Sequence, residues 1–221
     1  MAALDLFWFD LDAPAEQLEA WRALLSPGER QRAERFLNPE HGRRFTVAHA
    51  RLREILGRHL GRAPESLAFE FGPQGKPTLA GGGIHFNLSH SGNVGLVGLH
   101  PAELGVDVEA ERPHLDGLGL ARRFFTPRET AWLEALPPAA RPRGFARLWT
   151  CKEAWIKADG RGLALPLDQV EVAFSPAALR SLETPPRAWF LREIELRPGF
   201  AAAVVQDRPP DDVTLTYLPP L

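Results

Sequence analysis

The sequence predicts an α+β fold made of two similar halves with a cleft between them. Strand-like and helix-like segments alternate along the chain. The same order of segments begins again in the second half, and each half carries one helix-start pattern of the same kind, at Ser26 and at Thr126. The 221 residues suffice for two small domains. We therefore expect an N-terminal half over residues 1–102 and a C-terminal half over 103–221.

The first half begins with a strand and two helices. Residues 4–10 mix aromatic and apolar side chains with acids, which is typical of a strand. A helix is predicted over 14–24. Ser26 and Glu29 then form a capping box with a proline at the first helical position, so that a second helix is predicted from there to Leu37.

A longer helix and three strands complete the first half. Apolar residues spaced three and four apart predict a helix over 40–60, and Gly61 ends it. The strands are predicted over 67–71, 84–89 and 94–99.

The second half repeats this order. Residues 104–109 predict a strand, and Thr126 and Glu129 form a second capping box with a proline at the first helical position. A second long helix is predicted over 145–158, with Gly160 as its end. Four further strands are predicted over 168–174, 188–196, 200–206 and 213–218.

Composition and charge narrow the possible functions. Hydrophobic residues make up 44% and charged residues 24%, which excludes a disordered, collagen-like or coiled-coil protein. The net charge is −2, so no overall basic surface indicates binding to nucleic acid or to an anionic membrane. We expect neither partner, and any phosphate site must be local.

The cysteine content and the N-terminal segment indicate a cytoplasmic protein. The single cysteine, Cys151, cannot form an internal disulfide. The segment MAALDLFWFDLDAP carries acids where a signal peptide needs a basic end and an apolar core. No apolar run approaches the roughly 20 residues of a membrane-spanning helix.

Lysine is almost absent from this chain. Of 26 basic side chains, only Lys76, Lys152 and Lys157 are lysines, and the rest are arginines. A compact, rotatable ammonium group is needed where a planar guanidinium cannot replace it. These three positions are therefore candidates for function, with chance as the alternative explanation.

The segment GVDVE at 105–109 is the sharpest local feature. On a strand, Val106 and Val108 enter the core while Asp107 and Glu109 lie together on the other face. Two carboxylates so placed can share a hard cation, and oxygen ligands favour magnesium over zinc. The alternative is an amphipathic strand whose acidic face is solvated.

A second feature lies on the predicted second long helix. Trp149, Glu153 and Lys157 share one helix face, so that a carboxylate and an ammonium are neighbours behind an aromatic ring. Such a pair is often a weak surface ion pair. The tryptophans at 149 and 155 argue against full solvation of this helix.

A third feature joins GKP at 75–77 to HFNLSHSG at 85–92. Glycine lets backbone approach a ligand, Lys76 supplies a mobile charge, and Ser89 and His90 can bind phosphate oxygens. A serine nucleophile with a histidine base is a weak alternative, because adjacent strand residues point to opposite faces.

Taken in this order, GKP, FNLSHSG, GVDVE and WTCKEAWIKADGRGL resemble the motif set of the 4′-phosphopantetheinyl transferases, of the large Sfp type with two halves in one chain. The resemblance runs from about Ser26 to Leu163. It implies the 4′-phosphopantetheinyl transferase fold, with the two halves related by pseudo-twofold symmetry. Each motif alone is weak, whereas four in the right order are specific.

The resemblance also implies an activity and a set of site residues. The activity is magnesium-dependent transfer of the phosphopantetheine arm of coenzyme A to a serine of an acyl or peptidyl carrier protein, with release of 3′,5′-ADP. The implied magnesium ligands are Asp107, Glu109 and Glu153. The residues implied to hold the coenzyme A phosphates are Lys76, Ser89, His90 and Lys157. The basic residues implied for the 3′-phosphate are Arg30, Arg32 and Arg53, and Glu29 stands where another basic residue is expected.

The chemistry of the transfer suggests which side chain acts as the base. Attack of a serine oxygen on a phosphate develops negative charge, so that catalysis is mainly positioning and charge neutralisation. We expect Glu153 to accept the serine proton and Lys157 to stabilise the pyrophosphate. Glu109, or a water on the metal, is the alternative base.

The partners follow from the same resemblance. We expect a monomer that binds coenzyme A and docks an acidic carrier protein on a surface that is apolar with local positive charge. The candidate surface is the segment ARRFFT at 121–126. The alternative is that Phe124 and Phe125 belong to the core and the two arginines are merely solvated. The kind of carrier, whether of fatty-acid, polyketide or nonribosomal-peptide synthesis, stays open.

Two other classes of protein remain as alternatives. A magnesium-dependent phosphoesterase would use the same carboxylates with water as nucleophile, and would hydrolyse coenzyme A without a carrier. A catalytically silent carrier-binding protein would have lost one of the acids or lysines, and all of them are present.

Overall fold

A computed structural model describes residues 3–162, 165–174, 178–182, 188–207, 209 and 212–219. The first half begins as predicted, with β1 (Ala3–Asp10), α1 (Ala15–Leu24), α2 (Pro27–Glu34) and α3 (Pro39–Leu60). The capping box at the start of α2 is formed, and α3 ends at Gly61 in the left-handed conformation, with φ of 63°. The prediction that the second helix reaches Leu37 is wrong. Asn38 lies before a proline, is extended and caps α3, so the chain leaves the helical conformation earlier.

Four strands follow in the first half: β2 (Phe69–Phe71), β3 (Pro77–Leu79), β4 (His85–Ser91) and β5 (Val94–His100). Three of them were predicted. The additional strand β3 is three residues long and begins with a proline, which gives no alternation by which to recognise it.

The second half contains β6 (Leu104–Ala110), α4 (Gly117–Phe124), α5 (Pro127–Ala135), α6 (Arg141–Asp159), β7 (Val170–Ala173), β8 (Ala178–Ser181), β9 (Phe190–Ile194), β10 (Phe200–Gln206) and β11 (Asp212–Leu218). Helix α4 and strand β8 were not predicted. Helix α4 contains two glycines, which disfavour a helix and explain why it was not predicted. Asp116 caps this helix by accepting a hydrogen bond from Gly119 N. The last residue of the fourth motif, Leu163, lies outside the described residues.

The strands form two main sheets and two hairpins. One sheet has the order β11-β1-β5-β4 and the other has the order β6-β10-β9, while β2-β3 and β7-β8 form the hairpins. Strand β11 comes from the end of the chain and pairs in parallel with β1, so it completes the sheet of the first half. The division of the chain at residue 102 stays a prediction.

Side chains rather than backbone groups join β4 to β6. Three alternate residues of β4 accept hydrogen bonds from three alternate backbone N–H groups of β6. The pairs are Val106 N to Asn87 Oδ1 at 2.8 Å, Val108 N to Ser89 Oγ at 3.3 Å, and Ala110 N to Ser91 Oγ at 3.1 Å. This ladder links the sheets of the two halves and fixes the position of β6 beside β4.

Each half also contains a glutamate of low exposure that pairs with a cation of its long helix. In the first half, the capping-box residue Glu29 accepts hydrogen bonds from Arg53 of α3 at 2.7 and 2.9 Å. Arg53 in turn donates to the carbonyl oxygens of Pro64 and Leu67.

The second half repeats this arrangement. Glu129 of its capping box pairs with Lys152 of α6 at 2.8 Å, and Lys152 donates to the carbonyl oxygens of Leu167 and Val170. Burial lowers the pKa of the Lys152 ammonium group, and Glu129 opposes this shift. The pair Glu29–Arg53 in the first half thus corresponds to the pair Glu129–Lys152 in the second, which supports two similar halves. The pseudo-twofold relation between the halves stays a prediction.

Helix α6 packs directly on β6 at Gly105. A Cβ atom at this position would lie 2.1 Å from Ala154 O and 2.3 Å from Ala158 N. Only glycine permits this approach, because any side chain would force the helix away from the strand. The close contact brings the side chain of Lys157 to the acidic residues of β6.

Candidate active site

Alternation along β6 separates core residues from acidic residues. Val106 and Val108 are fully buried between the two main sheets. Asp107 points to the other face, where its side chain is covered and the whole residue is 3% exposed. The acidic face of β6 is therefore not a solvated surface.

A lysine and a serine meet Asp107. Lys157 Nζ donates to Asp107 Oδ1 at 2.6 Å and to Ser89 Oγ at 2.9 Å. Ser89 Oγ donates to the same carboxylate oxygen at 2.7 Å. Residues of β4, β6 and α6, separated in sequence, thus converge on one point, and Lys157 is not part of a mere surface ion pair on its own helix.

Glu109 lies two residues further along the same face. Ser91 Oγ donates to Glu109 Oε2 at 2.7 Å, and the Arg112 guanidinium lies 3.5 Å from the same oxygen. Both carboxylates of β6 are therefore held by serines of β4.

Glu153 of α6 completes the acidic group. Burial raises the pKa of the Glu153 carboxyl, the charge of Asp107 raises it further, and Lys157 opposes the shift. Burial likewise raises the pKa of Asp107, against Lys157 and Ser89, and raises that of Glu109, against Ser91. A nearby divalent cation would favour the ionised form of all three groups.

The residues present fit a magnesium ion. Asp107 Oδ2 is buried and has no hydrogen-bond partner in the structure, so one oxygen of the innermost carboxylate is left for a ligand. Within the described part of the chain, no group of three or more His, Cys, Asp or Glu side chains is arranged to hold a metal. Magnesium is commonly bound by one or two carboxylates, with water and substrate phosphate as the other ligands. Asp107 and Glu109 can supply such a pair.

Cations gather beside this acidic group. Partial burial of the ring lowers the pKa of His90, and the positive charges of His49, Lys157 and Arg32 lower it further. Arg32 and His49 both pack on the ring of Phe45, with the Arg32 guanidinium carbon 5.2 Å and the His49 ring centre 3.9 Å from the ring centre of Phe45. Arg32, His49 and His90, from α2, α3 and β4, thus form a group that we call the cation cluster, because a bound anion would favour the charged form of both histidine rings.

His49 is the member of this cluster that the sequence analysis missed. Its Nδ1 donates to Glu29 Oε1 at 3.0 Å. The only sequence signal is the spacing of four residues from Phe45 on one helix, which suggests packing rather than function. Its role depends on Glu29, which is twenty residues away.

The structure does not bring Arg53 into the cation cluster. Arg53 is 1% exposed, and its guanidinium is occupied by Glu29 and by two carbonyl oxygens. Arg53 and Glu29 therefore form an ion pair of low exposure, and the contacts of the Arg53 guanidinium lie within the protein rather than at the cation cluster. Arg30 is half-buried on α2, and no contact among the described residues connects it with His90.

Lys76 lies at the end of α6. Its ammonium group pairs with Glu103 and donates to Leu104 O at 3.3 Å, and its side chain passes Gly160. A pocket of about 200 Å³ opens beside it, lined by Pro77, His85 and neighbouring residues. Lys76 is therefore close to β6, although its partner in the structure is Glu103 rather than Asp107.

An apolar cleft of about 370 Å³ opens at Glu109. It lies between α4, α5 and α6 and is lined by Leu118, Phe145 and Trp149, with Arg112 among its polar residues. Trp149 thus connects the cleft with the helix face that carries Glu153 and Lys157.

The structure divides the predicted docking segment. Phe125 is a core residue, stacked on Phe145, whereas Phe124 is exposed beneath the Arg123 guanidinium. Arg122 pairs with Glu134. Only Arg123 and Phe124 retain the features that were expected of a docking surface.

One buried and two partly buried carboxylates, a lysine and the cation cluster in an α+β frame are the features of an enzyme that handles phosphate groups. The sequence profile of the 4′-phosphopantetheinyl transferase superfamily matches residues 103–205. The 4′-phosphopantetheinyl transferase HetI of Nostoc sp. is 43% identical over 204 residues, which cover 90% of this chain and 85% of HetI. The chain therefore belongs to the 4′-phosphopantetheinyl transferases, and it is an enzyme of that kind.

Two other proteins are similar to this chain. The 4′-phosphopantetheinyl transferase Sfp of Bacillus subtilis is 29% identical over 94% of both chains. The solved structure of the Thermotoga maritima holo-acyl-carrier-protein synthase AcpS matches 47% of this chain and 61% of its own, at 22% identity and a TM-score of 0.37. The resemblance stated from the four motifs and the predicted α+β class are both confirmed. Among the described helices, none has the length and apolar character needed to span a membrane.

Proposed function

We propose that this enzyme transfers the 4′-phosphopantetheine arm of coenzyme A to a serine of an acyl or peptidyl carrier protein, with Mg²⁺ as cofactor and 3′,5′-ADP as the second product. The observation that carries the proposal is the contact of Lys157 and Ser89 with Asp107, whose second oxygen is buried and unpartnered. Relatives named as phosphopantetheinyl transferases support it.

The reaction is a phosphoryl-group substitution. The serine oxygen of the carrier forms a bond to the β-phosphorus of coenzyme A, and the bond from that phosphorus to the oxygen bridging to 3′,5′-ADP breaks. The serine proton passes to a base, and the leaving nucleotide takes the electron pair of the broken bond. Mg²⁺, when bound, would neutralise charge on the pyrophosphate oxygens.

The side chains of the site have different roles in binding the cation, accepting the proton and binding the pyrophosphate. Asp107 and Glu109 would hold the cation, because they are the adjacent carboxylates of β6. Glu153 would accept the serine proton, since it lies one helical turn from Lys157 and beside the acids of β6. Lys157, which already contacts Asp107, would bind the pyrophosphate.

The cation cluster would bind a phosphate of the nucleotide end. Arg32 and His49 pack on Phe45, and the charges of Arg32, His49 and Lys157 act on His90. We assign the 3′-phosphate to this cluster, and we assign the pyrophosphate to Lys157, which contacts Asp107, and to Lys76 at the start of β6. Glu29 contributes indirectly, by binding His49.

Transfer of labelled phosphopantetheine from coenzyme A to an apo carrier protein tests the proposal. Asp107→Ala should abolish transfer at saturating Mg²⁺ while the circular dichroism spectrum is unchanged. Asp12→Ala, which removes an exposed acid far along the chain, should transfer at the wild-type rate. Transfer that survives EDTA would exclude the metal, and hydrolysis of coenzyme A without a carrier would favour a phosphoesterase.

The setting of the reaction is part of the proposal. Cys151 is a free, buried thiol, which agrees with a reducing cytoplasm. We propose a cytoplasmic, monomeric enzyme whose partners are coenzyme A and a carrier protein, and not nucleic acid or a membrane. Assays with one apo carrier each from fatty-acid, polyketide and nonribosomal-peptide synthesis would identify the carrier.

A further inference from the structure

Ser91 repeats, two residues later, the contacts that Ser89 makes. Ser89 Oγ accepts a hydrogen bond from Val108 N and donates to the carboxylate of Asp107. Ser91 Oγ accepts from Ala110 N and donates to the carboxylate of Glu109. Each serine thus binds the backbone of β6 and, at the same time, the acidic side chain one residue earlier.

The hydrogen-bond capacity of these hydroxyl groups is largely used within the protein. A hydroxyl has one hydrogen to donate and two lone pairs to accept. Ser89 uses all three, because it also accepts from Lys157. Ser91 is buried and gives its only hydrogen to Glu109 Oε2 at 2.7 Å. Neither serine has a free hydrogen to offer to a substrate phosphate in this arrangement.

The contact with Ser91 determines how Glu109 presents its two oxygens. A glutamate near the end of a strand has several rotamers, and Glu109 is only partly buried. The hydrogen bonds given to Glu109 by described residues, from Ser91 and Arg112, both fall on Oε2. The Oε1 atom takes neither of these two hydrogen bonds.

We infer that Ser91 is a positioning residue for the divalent-cation site, which orients Glu109 while it fixes β6 in the ladder. The inference rests on the proposed magnesium dependence and extends it to a residue that makes no contact with substrate. Residues that orient metal ligands in this way typically contribute 10- to 100-fold to metal affinity. Ser89 has the same relation to Asp107.

Alternatively, Ser91 only links β4 to β6 and does not orient Glu109. The structure offers a matched control for this alternative. Asn87 occupies the equivalent position two residues before Ser89, and its Oδ1 accepts from Val106 N at 2.8 Å. Its neighbour on β6 is not an acid. Loss of Asn87 therefore removes one link between the strands without releasing a carboxylate.

Binding of Mn²⁺, used as a paramagnetic substitute for Mg²⁺, provides a readout that is independent of turnover. Electron paramagnetic resonance titrations in the presence of coenzyme A would compare wild type with Ser91→Ala, Ser91→Thr and Asn87→Ala. We expect the dissociation constant for Mn²⁺ to rise about tenfold or more in Ser91→Ala. It should stay within about twofold of wild type in Ser91→Thr, which keeps the hydroxyl, and in Asn87→Ala, although the latter should melt at a lower temperature.

Steady-state kinetics and a further variant complete the test. The Mg²⁺ concentration for half-maximal rate should rise in Ser91→Ala, while KM for coenzyme A at saturating Mg²⁺ stays near that of wild type. If Ser91→Ala does not fold, Ser91→Cys keeps the size with a weaker donor and should show the same direction of change.

Three results would overturn the inference. Wild-type Mn²⁺ affinity in both Ser91→Ala and Ser91→Cys would show that the hydroxyl does not position Glu109. Equal weakening in Asn87→Ala would show that the ladder alone matters. The third result is a wild-type protein that binds no Mn²⁺ and transfers at full rate in EDTA. It would overturn the proposed magnesium dependence together with the inference. The first two results would leave the magnesium dependence intact.

Discussion

At the scale of single residues, Glu29 carries several roles in one side chain. It caps α2, binds Arg53 and binds His49. Burial alone would raise the pKa of its carboxyl, but hydrogen bonds from His49, Arg53 and Ser26 outweigh burial and lower the pKa to about 2. The ionised form is therefore the one that the fold stabilises.

This lowered pKa predicts a loss of stability in acid. A shift from 4.5 to about 2 corresponds to about 3 kcal/mol, present above the unfolded pKa and lost as the pH falls from about 4.5 towards 2. Glu29→Gln should lower the free energy of unfolding at pH 7 by about this amount. Urea unfolding between pH 7 and 2.5 would measure the free energy of unfolding of both proteins. The difference in this free energy between Glu29→Gln and wild type should shrink as the pH falls. A constant difference at all pH values would contradict the prediction.

A second prediction concerns His49 and the 3′-phosphate. His49→Ala should lower kcat/KM for coenzyme A by roughly 1.5–3 kcal/mol, the range for a hydrogen bond to a charged group. Its kcat/KM for dephospho-coenzyme A, which lacks the 3′-phosphate, should stay at the wild-type value. His59→Ala is the matched control, since His59 is an exposed histidine of the same helix. Equal losses with both substrates would place the 3′-phosphate elsewhere.

Local pattern could predict some of these residues and not others. Asp107 and Glu109 follow from strand alternation, and Glu153 and Lys157 follow from helical spacing. Arg53 could not be placed from its sequence, because burial and its partner Glu29, twenty-four residues away, determine its role. Long-range pairing of this kind leaves no periodic signal.

At the scale of elements, the contact of Lys152 with Glu129 ties α6 to α5 and to the segment before β7. Lys152 is 0% exposed, and its ammonium group donates to a carboxylate and two carbonyl oxygens. Three acceptors suit the three hydrogens of an ammonium group. This third lysine thus has a structural role, whereas Lys157 contacts Asp107 and Lys76 lies at the start of β6.

Removal of this cation should be costly. Lys152→Met leaves Glu129 buried without its charge partner, and we expect the free energy of unfolding to fall by about 3–5 kcal/mol. The double variant Lys152→Met with Glu129→Gln should recover part of the loss. Arg128→Met, an exposed change on α5, should stay within about 0.5 kcal/mol of wild type in the same urea titration. A loss below about 1 kcal/mol in Lys152→Met would refute the role.

Helix starts were predictable because capping boxes are local. Both boxes form as the sequence indicates. Helix α4 was missed because its glycines oppose helix formation, and the packing of Gly117 on Phe145 rather than intrinsic preference keeps it in place. Strands of three or four residues, such as β3 and β8, are too short to show alternation.

At the scale of the whole molecule, the carrier surface remains a prediction, narrowed to Arg123 and Phe124. Arg123→Glu should raise KM for the carrier protein several-fold and leave KM for coenzyme A unchanged, because rim charges mainly steer association. The effect should weaken as salt rises from 0.05 to about 0.5 M. Arg122→Glu is the comparison variant. It should have a smaller effect on KM for the carrier protein, because Arg122 is paired with Glu134. Equal kinetics in Arg123→Glu and wild type would place docking elsewhere.

The overall architecture was predictable in part, because local sequence patterns indicate the order of helices and strands. The prediction of two halves rests on the repeated order of elements, since each local pattern appears twice. The pairing of β11 with β1 does not follow, because hydrophobic alternation shows that a segment is a strand but not which sheet it joins.

The position of β11 has a consequence during synthesis of the protein. Thr214 and its partner Asp5 are 209 residues apart, so the sheet that contains β1 stays incomplete until β11 has left the ribosome. In the nascent chain, the apolar strand β1 presents an open edge to its surroundings, and such an edge pairs readily with other chains. Pairing of β11 therefore removes this edge only after every other described strand has been made.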